Sequence, residues 1–125
     1  MKLRLHGNAL RLRLNQAEVA QFSKMGYIEE TIDFGAGSSL CYLLEACTKI
    51  ASPQALIQNG ALRVQVSLSA AREWFSSDQV GISAEQTLEN GKKLSILIEK
   101  DFKCLHSEEN DPDAYPNPVA SRARS

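Results

Sequence analysis

Laying residue n against residue n+52 sets Ala9-Leu10-Arg11 on Ala61-Leu62-Arg63 and continues with Leu12 and Leu14 on Val64 and Val66. Both stretches alternate apolar and polar side chains, the period of a half-buried strand, so Leu10, Leu12 and Leu14 point one way and Arg11 and Arg13 the other. A chain that writes one amphipathic strand twice has two like apolar faces to bury. Its folds are thereby narrowed to two similar units packed on each other or merged.

The segment after each strand repeats as well. Asn15 and Ser67 stand where a helix N-cap belongs, and Glu18 supplies the third-position acid of a capping box in the first copy. The same offset lays Phe22 on Trp74, with Val19 and Ala71 three residues earlier, so each short helix carries one large ring toward the core. These two rings are the expected centre of that core. Turn chemistry in "GAGSS" and "ENGKK" then precedes the apolar runs "LCYLLE" and "LSILIE", so each copy closes with a hairpin, and an offset of 54 aligns Leu40, Leu43 and Glu45 with Leu94, Leu97 and Glu99. Asn90-Gly91 predicts a type I′ turn. "LRLHGN" and "ALIQNG" ahead of the repeated strands imply an extra hairpin strand or a bulged long strand opening each copy.

The resulting expectation is an α+β domain over 1–105, built from a duplicated (β)βαββ unit at about 2–47 and 54–101, which forms one antiparallel sheet with both short helices on one face. Residues 106–125 read as an acidic, then proline-containing tail, largely flexible, with Tyr115 of "YPNP" as an extended anchor. The repeated strand-helix-strand-strand order is similar, in topology alone, to gyrase-inhibitor-like ligand-binding proteins. The run "LSILIEKDF" is apolar on both faces, which places it at the centre of a sheet and admits a homodimer covering its second side.

The N-terminal "GNALRLRL", the "SDQVGI" loop, "EKDFKCL" and the terminal "YPNP" together resemble a group of small bacterial proteins of unknown function, over nearly the whole chain. The resemblance implies a single bacterial domain that includes the tail, and it carries over no activity, ligand or site.

Chemistry-bearing residues are few. Lys2, Arg4, Arg11 and Arg13 are the charges of the first fourteen residues, and His6 shares the alternation of Lys2 and Arg4. A strand face of this kind can hold phosphate or carboxylate through fork-shaped guanidinium donors, which makes Arg4, His6, Arg11 and Arg13 the candidate ligand-binding set. The competing reading is a solvated face whose arginines pair with local acids such as Glu29, Glu30 and Asp33. Cys104 and His106, beside Glu108, Glu109, Asp111 and Asp113, are the densest potential metal ligands, yet they lack both zinc spacing and the oxygen pattern of a calcium loop. The same acids would also serve as a displaceable cover lying across the basic strand face. Glu45 and Glu99 occupy matching positions and form a candidate acid/base pair, against which stands the reading of solvent-facing strand ends.

With a formal charge of −1 and no aromatic residues interleaved among the basic ones, nucleic acid is not an expected partner, and no segment has the length and apolarity of a membrane span. Three cysteines without a close pair suit a reducing, cytoplasmic address. No nucleophile elbow or phosphate loop is present, and no cofactor is implied. The residues therefore point to a non-enzymatic binding module for a small anion or a protein partner, with a metal-binding protein using Cys104 and His106 as the alternative.

Overall fold

The computed structural model describes residues 1–102 and Tyr115. Its elements run in the order β1 (Lys2–His6), β2 (Ala9–Leu14), α1 (Gln16–Met25), β3 (Tyr27–Gly35), β4 (Ser38–Cys47), β5 (Gln54–Gln58), β6 (Ala61–Ser67), α2 (Leu68–Ser76), β7 (Gly81–Thr87) and β8 (Lys93–Lys100). Each copy thus opens with a hairpin, crosses a helix and closes with a hairpin.

The local signals act as their chemistry requires. Asn15 Oδ1 accepts from the Glu18 amide at 2.9 Å while the Glu18 carboxylate accepts from the Asn15 amide at 2.9 Å, so two otherwise orphaned donors of α1 are satisfied. Helix α1 stops at Gly26, whose φ of 79° lets its N–H reach the Phe22 carbonyl at 2.8 Å. Ser67 caps α2 by accepting from the Ala70 amide at 3.2 Å. The type I′ geometry expected at Asn90-Gly91 is not formed: only Gly91 has positive φ there, because Asn90 turns its side chain onto the Lys92 amide at 3.0 Å. Positive φ at both central residues occurs instead at Ala36-Gly37 and Asn59-Gly60.

Pairing of the hairpins departs from the expected single antiparallel sheet. There are two four-stranded mixed sheets, sheet A in the order β1-β2-β8-β7 and sheet B in the order β3-β4-β6-β5. In each, two antiparallel hairpins join through a parallel central pair, β2 with β8 and β4 with β6. Helix α1 carries the chain from sheet A to sheet B and α2 carries it back, so the two hairpins of one copy lie in different sheets. Each finds its neighbour in the other copy. The helices are accordingly not on one face of one sheet: α1 packs on β2 and β3, and α2 on β6, β4 and β7.

Register preserves the repeat. Ala9 faces Ser95 and Arg11 faces Leu97 in sheet A, while Ala61 faces Cys41 and Arg63 faces Leu43 in sheet B. The offsets of 52 and 54 therefore map one parallel ladder onto the other. Strand β8 lies inside sheet A as its composition requires, with Ile96 and Ile98 in the core and Leu97 on the opposite side.

One apolar cluster joins the inner faces of both sheets to the helices, and Trp74, Phe22, Leu12, Leu14, Leu44, Val64, Val66, Ile96 and Ile98 are its largest fully buried members. Phe22 and Trp74 meet there with ring centroids 6.2 Å apart, at the centre the repeat indicated. The Trp74 indole N–H donates to the Val80 carbonyl at 3.1 Å, so the buried ring leaves no orphaned donor. At the β1 edge the Tyr42 hydroxyl donates to the Met1 carbonyl at 2.7 Å and ties sheet B to sheet A. The Tyr42 hydroxyl is held above its usual pKa by burial and by the nearby charge of Glu30.

Among the described residues no helix is long and apolar enough to cross a membrane. The tail assigned to 106–125 lies outside the described residues apart from Tyr115, which is 97% exposed and so does not act as the expected anchor.

Candidate functional site

Antiparallel pairing of β1 with β2 sets Lys2 opposite Arg13, Arg4 opposite Arg11 and His6 opposite Ala9, all on the side of sheet A away from Leu10, Leu12 and Leu14. Parallel pairing adds Ser95, Leu97 and Glu99 from β8, and the β7–β8 hairpin adds Ser83 and Glu85. The outer face of sheet A is thus assembled from both copies. By register it bears Lys2, Arg4, Arg11, Arg13 and Lys93 against Glu85 and Glu99, a clear positive excess.

An open depression of about 550 Å³ lies on this face, lined by Arg4, His6 and Arg11 on one side and by Ser83, Glu85 and Ser95 on the other, with Ala9 and Leu97 among its apolar walls. Three of the four residues singled out in the sequence are therefore brought together. Arg13 is on the same face but outside the depression, where its Nε donates to Glu99 Oε1 at 2.7 Å. Arg11 Nε lies 3.5 Å from the same oxygen, so Glu99 is shared between the two guanidinium groups.

The local acids offered as partners, Glu29, Glu30 and Asp33, do not take this role for Arg11 and Arg13. They belong to β3 of sheet B, and the Glu30 carboxylate accepts from the Met1 amino group at 2.7 Å, together with Glu18. Among the described residues their shared partner is Glu99, brought alongside by the β2–β8 ladder that sequence reasoning did not foresee.

Glu45 and Glu99 are not a facing acid/base pair, because they belong to different sheets; nor are they solvent-facing strand ends, because each lies on a central strand with a side chain 16–17% exposed. Glu45 accepts from Arg63 Nη2 at 2.8 Å and from Gln65 Nε2 at 2.8 Å. Burial alone would raise its pKa; the hydrogen bonds from Gln65 and Arg63 and the Arg63 charge outweigh it and hold the carboxyl below its usual range. Each glutamate thus clamps one copy to an arginine of the other. Both act as braces across the parallel pairs.

The repeat supplies an internal comparison. In sheet B the positions equivalent to Lys2, Arg4, His6 and Arg13 hold Gln54, Leu56, Gln58 and Gln65, in the same register. The outer face there has Arg63 against Glu29, Asp33 and Glu45. The fold therefore forms without a basic edge strand. Directly opposed like charges destabilise a sheet, and sheet A contains two such pairs side by side, Lys2 with Arg13 and Arg4 with Arg11. Glu99 offsets part of that repulsion.

Cys104 and His106, the candidate metal ligands, lie outside the described residues. Among the described residues no group of three or more His, Cys, Asp and Glu side chains is arranged to hold a metal ion. Burial, then the Glu45 charge, pushes the Cys47 thiol up, which disfavours the thiolate that a metal would need.

A second, larger hollow of about 1250 Å³ runs between α1 and the end of β8, lined by Ala17, Val19, Ala20, Phe75 and Phe102. Its charged groups are committed elsewhere, Lys100 to the Ser77 carbonyl at 2.7 Å and Asp101 to Lys2 at 3.0 Å. Asn15, Gln16 and Ser23 add polar groups to this hollow, but two arginines and a histidine are gathered only in the first of the two.

The model of a family of unknown function, DUF7009, matches residues 1–119. The chain belongs to that family. The DUF7009 match takes in both copies of the repeat, the whole of the basic face and the acidic segment after β8. No curated protein and no solved structure matches the chain.

The residues that sequence reasoning missed, Ser83, Glu85, Ser95 and Leu97, left a faint signal. "GISAEQT" places Gly81, Ser83, Glu85 and Thr87 on one parity, and Ser95 interrupts the apolar run of β8 on the side that faces outward. What was missing was the knowledge that β8 lies beside β2.

Proposed function

We propose that this DUF7009 protein is a binding module for a small oxyanion, of the phosphate or carboxylate class, held on the outer face of sheet A. Arg4 and Arg11 are the anion-gripping pair, Ser83 and Ser95 supply hydroxyl donors, and His6 adds a ring nitrogen at the β1 end. Glu85 limits how much negative charge the site accepts and offers an acceptor to a hydroxyl of the ligand. Leu97 and Ala9 favour a ligand with some apolar body. Support comes above all from the paired arginines over a depression at positions where the equivalent strands of sheet B have Leu56 and Arg63. The charge there is not needed to make the fold.

The test is calorimetric titration of the full chain with inorganic phosphate and with citrate, repeated on Arg4→Gln and on Arg63→Gln. Removing one guanidinium from a bidentate contact is expected to weaken binding about tenfold or more, since charge-assisted hydrogen bonds are worth roughly 1.5–3 kcal/mol. Arg63→Gln, at the position in sheet B equivalent to Arg11, should leave the affinity unchanged. Equal losses in both variants, or no heat with either anion, would remove the proposal.

A further inference from the structure

Resting on that reading of the basic face, we propose that its ligand is dipolar, an oxyanion gripped by Arg4 and Arg11 and joined to a protonated amine that Glu85 receives. Register lays out the outer face of sheet A in rows that run from edge to edge. His6, Ala9, Ser95 and Glu85 form one row, and Arg4, Arg11, Leu97 and Ser83 form the next. The cations thus stand on the β1–β2 side of the depression, uncharged Ala9, Ser95 and Leu97 make its middle, and the acid stands on β7 at the far side. A site polarised in this sense is complementary to a small molecule polarised in the opposite one.

In a site for plain anions an acid would weaken binding by like-charge repulsion, and Glu85 is not held there as a brace. Among the described residues it has no ion pair or hydrogen bond, whereas Glu99 is shared by Arg11 and Arg13. Lys93, the cation nearest to Glu85 along the outward side of β8, donates instead to Thr87 Oγ1 at 2.7 Å. The Arg11 and Glu85 backbones are two strands and two residues apart, roughly 12 Å, a gap that a small molecule can span. The repeat shows that the fold does not need either pole. In sheet B the positions of Arg4, His6 and Glu85 hold Leu56, Gln58 and Thr31 in the same register. Neither Arg4 nor Glu85 belongs to the pattern that the two copies share.

For the Glu85 carboxylate an ammonium is a better partner than a neutral hydroxyl, because it matches charge as well as hydrogen bonding and screens the acid from the bound anion. Ser95, directly opposite Glu85 in the β7–β8 ladder, offers a hydroxyl oxygen to the same ammonium. The short carbon link between the two charged ends would lie over Ala9 and Leu97. Small amino acids and aminoalkyl phosphates share this chemistry.

The test titrates the full chain with two matched pairs, 2-aminoethyl phosphate against ethyl phosphate and β-alanine against propionate, and repeats the titrations on Glu85→Gln. Glu85 is exposed, so the variant keeps the fold. In at least one pair the amine-bearing member should bind about five- to tenfold more tightly to the full chain, and the preference should fall to less than about twofold in Glu85→Gln. Equal affinities within each pair would overturn the dipolar ligand and leave the anion site standing. A preference that survives in Glu85→Gln would overturn the role of Glu85, and with it the proposal. Absence of binding by all four compounds, together with inorganic phosphate and citrate, would remove the anion reading and the dipolar ligand with it.

Discussion

Replacing Phe22 with leucine probes the claim that the two repeated helices meet at one aromatic centre. Phe22 is 1% exposed and touches two rings, Trp74 at 6.2 Å with planes inclined by 59° and Phe75 at 6.2 Å edge-on at 87°. Aromatic pairs of this geometry contribute about 0.5–1.5 kcal/mol each beyond the area they bury, and the volume leucine leaves unfilled costs about 1 kcal/mol more. The expected loss is about 2–4 kcal/mol, inside the roughly 5–15 kcal/mol that holds a domain of this size. The variant should fold. Trp74 is the single tryptophan and is fully buried, so its fluorescence reports unfolding without a label. With a urea dependence of roughly 1–3 kcal/mol per molar, the midpoint should drop by about 1–2 M. Phe34→Leu, at a residue 67% exposed on β3, is the control and should change stability by no more than about 0.5 kcal/mol. If the two substitutions lower the midpoint equally, the aromatic centre is not where the stability resides.

Glu45→Gln should cost about 1 kcal/mol at pH 7, because the carboxylate is ion-paired with Arg63 and only partly screened. Since the folded carboxyl titrates below its unfolded value of roughly 4.3, that contribution is full above the unfolded value and is lost as the pH falls through the folded one. Urea midpoints of the two proteins should therefore converge between about pH 4 and pH 2, and a constant gap across that window would refute the assignment. Expressed separately, residues 1–50 and 51–125 should each fail to give a folded monomer, because every sheet has its central pair split between them. Mixed, they should form a one-to-one complex with Trp74 buried, and a cooperatively folded monomer of either piece would contradict the topology.

Much of the fold was written locally. The start of helix α1 was legible from Asn15 and Glu18, and the facing of Leu10, Leu12 and Leu14 from alternation alone. The pairing of Phe22 with Trp74 came from the repeat. Asn90-Gly91 misled because a side-chain hydrogen bond two residues ahead competes with the backbone geometry that the dipeptide favours. Of the candidate site, the half contributed by β1 and β2 could be read and the half from β7 and β8 could not.

The sequence by itself determined that there are two like units, where their strands and helices begin, and which side of each strand is apolar, since these depend on neighbours within a few residues. Only the tertiary structure decided that each unit gives one hairpin to each sheet, that Glu99 braces Arg11 and Arg13, and that Ser83 and Ser95 line the same depression as Arg4. Alternation states that a strand has a wet side and a dry side and leaves its neighbour unspecified. That choice is made by the burial of both apolar faces at once, which is a property of the whole chain.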